Sequence, residues 1–162
     1  MAKKYFYLTL GLFISQISIA QTVKKDFVVC IDGEIAINLY MPKMIIKQDT
    51  SVLNIKIDYH AGNMSLKSED YNTILKALPY NLFLKFDHYQ SSKWGKETIY
   101  NYELKMNRTW FESSFVVIYI ENLDKKKNRR RWRGFDSGST KHEYILNVIT
   151  SEGQTITFPP SK

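Results

Sequence analysis

Residues 27–40 read Phe-Val-Val-Cys-Ile-Asp-Gly-Glu-Ile-Ala-Ile-Asn-Leu-Tyr. An apolar run ends at Asp32-Gly33, a dipeptide that favours a tight hairpin turn because glycine tolerates positive φ. Beyond it Ile35, Ile37 and Leu39 alternate with Ala36, Asn38 and Tyr40. Strict alternation is the mark of a strand with one buried face. The stretch therefore predicts a hairpin of strands over 27–31 and 34–40, the second burying Ile35, Ile37 and Leu39.

The same period recurs outward from this hairpin. Met44-Ile45-Ile46 follows Pro42, and Leu53, Ile55, Ile57 and Tyr59 alternate with Asn54, Lys56 and Asp58, which give that strand a wet side. Tyr80, Leu82, Leu84 and Phe86 oppose Asn81, Lys85 and Asp87, while Tyr100, Tyr102 and Leu104 oppose Glu103 and Lys105. These two stretches predict a long hairpin across a loop at 90–96. Phe115–Ile120 is apolar on both faces, as in a central strand covered on both sides. Tyr144–Ile149 and Thr155–Phe158 flank a turn at Glu152-Gly153.

One helix stands out, at about 68–78. Tyr71, Ile74, Leu75 and Leu78 share a helical face, Ser68 is placed to cap the first turn, Glu69 and Asp70 suit the helix dipole, and Pro79 closes the segment. Many short strands with one helix predict a mainly β fold. The first expectation is an antiparallel β-sandwich with the helix across one end or face; the alternative is a single curved sheet wrapped on the helix. A parallel architecture lacks its alternating strand–helix pattern.

The first twenty residues read as an address. Lys3 and Lys4 precede the mostly apolar Leu8–Ile19, and Ser18 and Ala20 place small residues before Gln21. This is the pattern of a secretory signal peptide, of a bacterial kind, and the run is too short and too polar for a membrane span. Residues 21–162 then form a single β-rich domain, with no transmembrane segment in the mature chain, and the expected location is periplasmic or extracellular. The mature chain keeps 21 basic and 16 acidic residues, a net of +5.

That excess is concentrated. Residues 122–142 hold eight basic and two acidic residues, so the remainder of the mature chain is nearly neutral. Lys125, Lys126, Lys127, Arg129, Arg130, Arg131 and Arg133 crowd into nine positions. Packed like charges repel and are eased by a bound anion, which makes these residues candidates for anion binding. The plainer reading comes first, an edge strand guarded against aggregation; a processing site is the third. Two geometries fit: a turn at 124–128 followed by a returning strand over 129–135 with Arg129, Arg131 and Arg133 on one face, or a loop. Trp132 would anchor the ribbon or stack on an arginine. Trp94, in a polar hairpin loop, is a second candidate exposed aromatic.

Signals for catalysis are weak. There is no Gly-rich phosphate loop, no His-Glu-x-x-His and no cysteine pair. Ser137, within Gly134–Gly138, sits in ordinary turn composition. Asp58 and His60 could share one face, but two ligands do not make a metal site. Glu97, Glu103 and Glu112 offer carboxylates that sequence cannot bring together. Cys30 reads as a small buried hydrophobe. No catalytic residue, metal or cofactor is therefore expected. The function expected is an exported, non-enzymatic binding or interaction module. The alternative is a cell-envelope protein binding anionic polymer or lipid through 125–133, and a small hydrolase stands third. The partner is either another protein or an anionic envelope polymer, with no intracellular nucleic acid expected. N-terminal sequencing of the exported protein should begin at or near Gln21; an intact Met1 on a soluble exported chain would refute the export reading.

Overall fold

The computed structural model describes residues 21–48, 50–78, 81–91, 95, 97–132 and 144–157. In chain order these form β1 (Thr22–Ile31), β2 (Glu34–Ile35), β3 (Tyr40–Gln48), β4 (Ser51–Lys56), β5 (Asp58–His60), β6 (Asn63–Lys67), α1 (Ser68–Leu75), β7 (Leu82–Ser91) and β8 (Glu97–Met106). There follow α2 (Thr109–Glu112), β9 (Phe115–Asn122), α3 (Lys126–Arg131), β10 (Tyr144–Thr150) and β11 (Gly153–Thr157). A seven-stranded sheet runs β11-β10-β9-β1-β6-β5, with β2 also paired to β1. A four-stranded sheet runs β4-β3-β7-β8. Only Ile57 separates β4 of the small sheet from β5 of the large one, so the Leu53–Tyr59 alternation spans two strands in different sheets.

The fold is mainly β, as expected, and the inner faces of the two sheets meet in one core. Phe27, Val29, Val116, Ile118, Leu146 and Val148 face Met44, Ile46, Leu82, Leu84, Phe86 and Leu104. Burying each such side chain contributes about 1.5–3 kcal/mol. One pairing departs from the antiparallel expectation: β1 lies parallel to β9, Phe27 beside Val116 and Val29 beside Ile118. β9 is central, but only one of its faces is fully buried; Val117 and Tyr119 are half-buried. The long hairpin holds, with β7 against β8 from Leu82–Met106 to Ser91–Glu97.

The Asp32-Gly33 turn forms as predicted, Asp32 at φ 55 and Gly33 at φ 94, and Ile31 pairs with Glu34. The strand expected over 34–40 does not form. β2 stops at Ile35, and Ile35 and Ile37 are exposed whereas Ala36 and Leu39 are buried. Ala36 N–H still donates to the Val29 carbonyl, one rung on from the Cys30–Ile35 pair, but the Ile37 carbonyl accepts from Ala61 N–H and no longer faces β1.

The helix is shorter than 68–78. It ends at Leu75, with Lys76 and Ala77 closing a last turn onto Thr73 and Ile74. Leu78 is consequently exposed, while Ile74 is fully buried and Tyr71 and Leu75 partly so. Ser68 is the first helical residue and not the cap. Its hydroxyl donates to the Gln21 carbonyl at 2.8 Å, which fastens the helix start to the beginning of β1. Tyr71 donates to the Phe111 carbonyl at 2.6 Å and so joins α1 to α2.

Tyr59 holds the irregular 36–39 segment in place. Its buried hydroxyl accepts from Val29 N–H and donates to the Ala36 carbonyl, both at 3.0 Å. Tyr59→Phe leaves both backbone groups without that partner, so it should destabilise by about 1–3 kcal/mol. Urea unfolding measures this; a loss under a few tenths would mean that the bridge contributes nothing.

Candidate anion-binding site

The basic segment is neither ribbon nor loop over 126–131: it is the short helix α3, which corrects the expected strand over 129–135. Arg129 and Arg131 do not share a strand face. Arg133, the Gly134–Gly138 motif and Trp94 lie outside the described residues. Local hydrogen bonding explains the turn into the helix. Asn122, at the end of β9, accepts from Asp124 N–H with its side-chain oxygen at 2.8 Å, the self-turning habit of asparagine. Asn128 is buried, and its amide donates to the Asn122 carbonyl at 2.9 Å.

Asp32 fixes this corner from the other side. One carboxylate oxygen accepts from Asn122 N–H at 2.9 Å and from the Asn128 amide at 2.6 Å. The other pairs with Lys125 Nζ at 2.7 Å. A second clamp works through Glu121, which pairs with Arg131 at 2.6 Å and accepts from the Trp132 indole N–H at 2.7 Å. Trp132 is half-buried and acts as an anchor in place of an open stacking platform.

The seven cations thus divide. Lys125 and Arg131 are engaged by carboxylates. Arg129 is exposed and donates to the Asp124 carbonyl at 3.2 Å. Lys126, Lys127 and Arg130 are exposed, and no ion pair among the described residues involves them. Spacings of three and four put Arg130 beside both Lys127 and Lys126 on one helical face, at a small repulsive cost. Asp32, Asn122, Asn128 and Glu121 escaped the sequence reading. The Asp-Gly pair signalled only a turn, and the lone Asn128 inside the basic run was the available clue to a buried anchor.

Two further groups face this corner from the small sheet. His88, half-buried on β7, is pushed below its usual pKa by burial; Asp32 and Glu34 pull it back up, and Lys125 pushes it further down. Tyr102 is buried, and its hydroxyl makes no hydrogen bond of acceptable geometry. Burial, then Asp32, Tyr100 and Tyr144, hold its phenol protonated well above the usual range, partly offset by the Asn122 side chain. Tyr144 donates to the Glu103 carbonyl at 2.9 Å, which ties β10 to β8.

No known protein family matches the chain, and no curated protein or solved structure does.

The other chemical candidates are placed apart. Among the described residues no group of three or more His, Cys, Asp or Glu is arranged to hold a metal. His60 contacts the Asn38 side chain at 3.3 Å. Glu103 pairs with Lys47 at 2.6 Å, Glu97 begins the same strand and Glu112 is on α2. Cys30 is buried, and burial raises its thiol pKa, the opposite of an activated nucleophile.

His88 gives a pH test. A folded-state pKa below the unfolded one means that the unfolded chain protonates first as pH falls. Stability contributed by neutral His88 is complete above about pH 6.5 and is lost progressively below it. Urea midpoints of the wild type should fall toward pH 5 more steeply than those of His88→Gln; parallel curves would refute the assignment.

Proposed function

We propose that the mature chain is an exported, non-enzymatic binding module and that Lys126, Lys127 and Arg130, with Arg129, contact an anionic polymer or lipid of the cell envelope. The observation that supports this most is the division of the cations. Asp32 and Glu121, with the buried amide of Asn128, hold one side of α3. The opposite, exposed side keeps a set of cations with no acid partner among the described residues. Their backbone is already fixed in α3, so only the side chains need to be ordered on meeting a polyanion. Export through residues 1–20 makes envelope polymers and headgroups the anions within reach. A protein partner is the second reading, favoured by Ile35, Ile37 and Tyr40, each more than half exposed.

Duplex DNA serves as a convenient polyanion for the test. Each neutralised phosphate contributes about −0.9 to the slope of log K against log salt, so three or four contacts give roughly −3. Replacing Lys126, Lys127 and Arg130 by Gln should reduce that slope by about 2–3. Stability should change by under about 0.5 kcal/mol per site. Salt-insensitive binding, or an unchanged slope in the triple variant, would overturn the reading.

A further inference from the structure

A second cationic feature lies in the four-stranded sheet, far from α3 in sequence. Lys56 of β4 stands directly opposite Lys43 of β3, and Lys43 stands directly opposite Lys85 of β7. Directly opposed residues share a face, so three lysines line one rung across three adjacent strands about 4.8 Å apart. No ion pair among the described residues neutralises any of them. The acid at the fourth position of the rung, Glu103, is opposite Lys85 but is taken by Lys47, whose ammonium also lies 4.2 Å from the Phe83 ring centroid. Like charges directly opposed destabilise a sheet, and this row has two such pairs in succession.

Beside the row is an open groove of about 510 Å³. Lys43 and Lys56 form part of its wall, and its floor is apolar, from the buried Leu39, Ile57 and Tyr59. Met41 and Pro42 complete the apolar side. Met41 is 82% exposed and stands at φ 49, a left-handed conformation costly for a side chain of this kind. It occupies the register shift between Tyr40 and Lys43, where β3 carries one residue more than β7. Such a bulge re-aims side chains while strand pairing resumes beyond it. Here Met41 borders the groove and Lys43 returns to the rung. Strain, an exposed thioether side chain and a row of like charges without ion-pair partners among the described residues therefore converge on one place.

We propose that this groove binds an anionic amphiphile, its phosphate held by Lys43 and Lys56 with Lys85 adding charge, and its alkyl portion lying on Met41, Pro42 and the Leu39–Ile57 floor. The charge complementarity selects the head and the apolar floor selects the tail. Asp58, also in the lining, disfavours a second negative charge beyond Lys56 and can accept from a headgroup hydroxyl. This site is separate from the α3 face and does not rest on the function proposed for it.

Decyl phosphate, used as a monomer at low salt in calorimetric titration, is the direct probe, with inorganic phosphate and decyl phosphocholine as comparisons. Decyl phosphate should bind at least about ten-fold more tightly than either. Lys43→Gln with Lys56→Gln should weaken it by about ten-fold or more, the scale of removing one charge-assisted hydrogen bond. The same variant should unfold at a temperature no lower than the wild type, because a repulsion has been removed. Met41→Ser should weaken decyl phosphate and leave inorganic phosphate unchanged. The Gln triple variant of Lys126, Lys127 and Arg130 should titrate as wild type, and Lys43→Arg with Lys56→Arg should retain binding. Undiminished binding in the Lys43/Lys56 Gln variant, inorganic phosphate binding as tightly as decyl phosphate, or loss of binding in the α3 variant would each overturn the proposal.

Discussion

The Asp32 carboxylate connects parts of the chain that sequence keeps far apart. It ends the first long strand, takes a left-handed turn, and presents its oxygens to the end of β9 and to α3. Without this acceptor the amide of Asn128 and the backbone N–H of Asn122 would each lose a partner in a corner with little access to water. Hydrogen bonds to a charged acceptor contribute roughly 1.5–3 kcal/mol each. They also explain how a segment dense in like charge folds as a helix at all: its anchor is buried and neutral at Asn128, and two carboxylates face its remaining underside.

The two cationic surfaces differ in kind. On α3 the charges are local in sequence, supported from beneath, and fan outward into water, where screening is strong. On the small sheet they come from three strands and are set side by side by backbone pairing, with rigid spacing and an apolar floor alongside. The first arrangement suits a long, repetitive polyanion contacted by charge alone. The second suits a discrete head attached to something oily. Net charge reports the first surface and conceals the second, because Lys43, Lys56 and Lys85 are balanced by acids elsewhere in a chain that is nearly neutral outside residues 122–142.

Strand content was legible because inward positions alternate: Leu82, Leu84 and Phe86 were read as one face and are all buried. The Asp32-Gly33 turn was legible because backbone chemistry there is local. Where tertiary bonds replaced ladder pairing the reading failed. Ile35 and Ile37 alternate as a strand would, yet Tyr59 and Ala61 draw the segment into an irregular path. The basic run misled for a related reason, since helix or strand at 126–131 was decided by Asp32, which lies almost a hundred residues earlier. Cross-strand register is likewise absent from periodicity, so the lysine row could not be seen until β3, β4 and β7 were aligned.

The parallel pairing of β1 with β9 bears on how the molecule is made. Asp26 meets Phe115 and Ile31 meets Ile120, so the first strand to emerge cannot complete its ladder until most of the chain exists. Contacts of such long range slow folding, because a large loop must close before they form. Through that interval β1 offers Val28, Val29 and Ile31 on an open edge, ready to pair with any other extended chain. Lys24 and Lys25 at its start, and the sequence-local turn at Asp32-Gly33 at its end, leave only the middle of the strand unguarded. The fate of a newly made molecule is thus a race between arrival of the late strands and association with its neighbours.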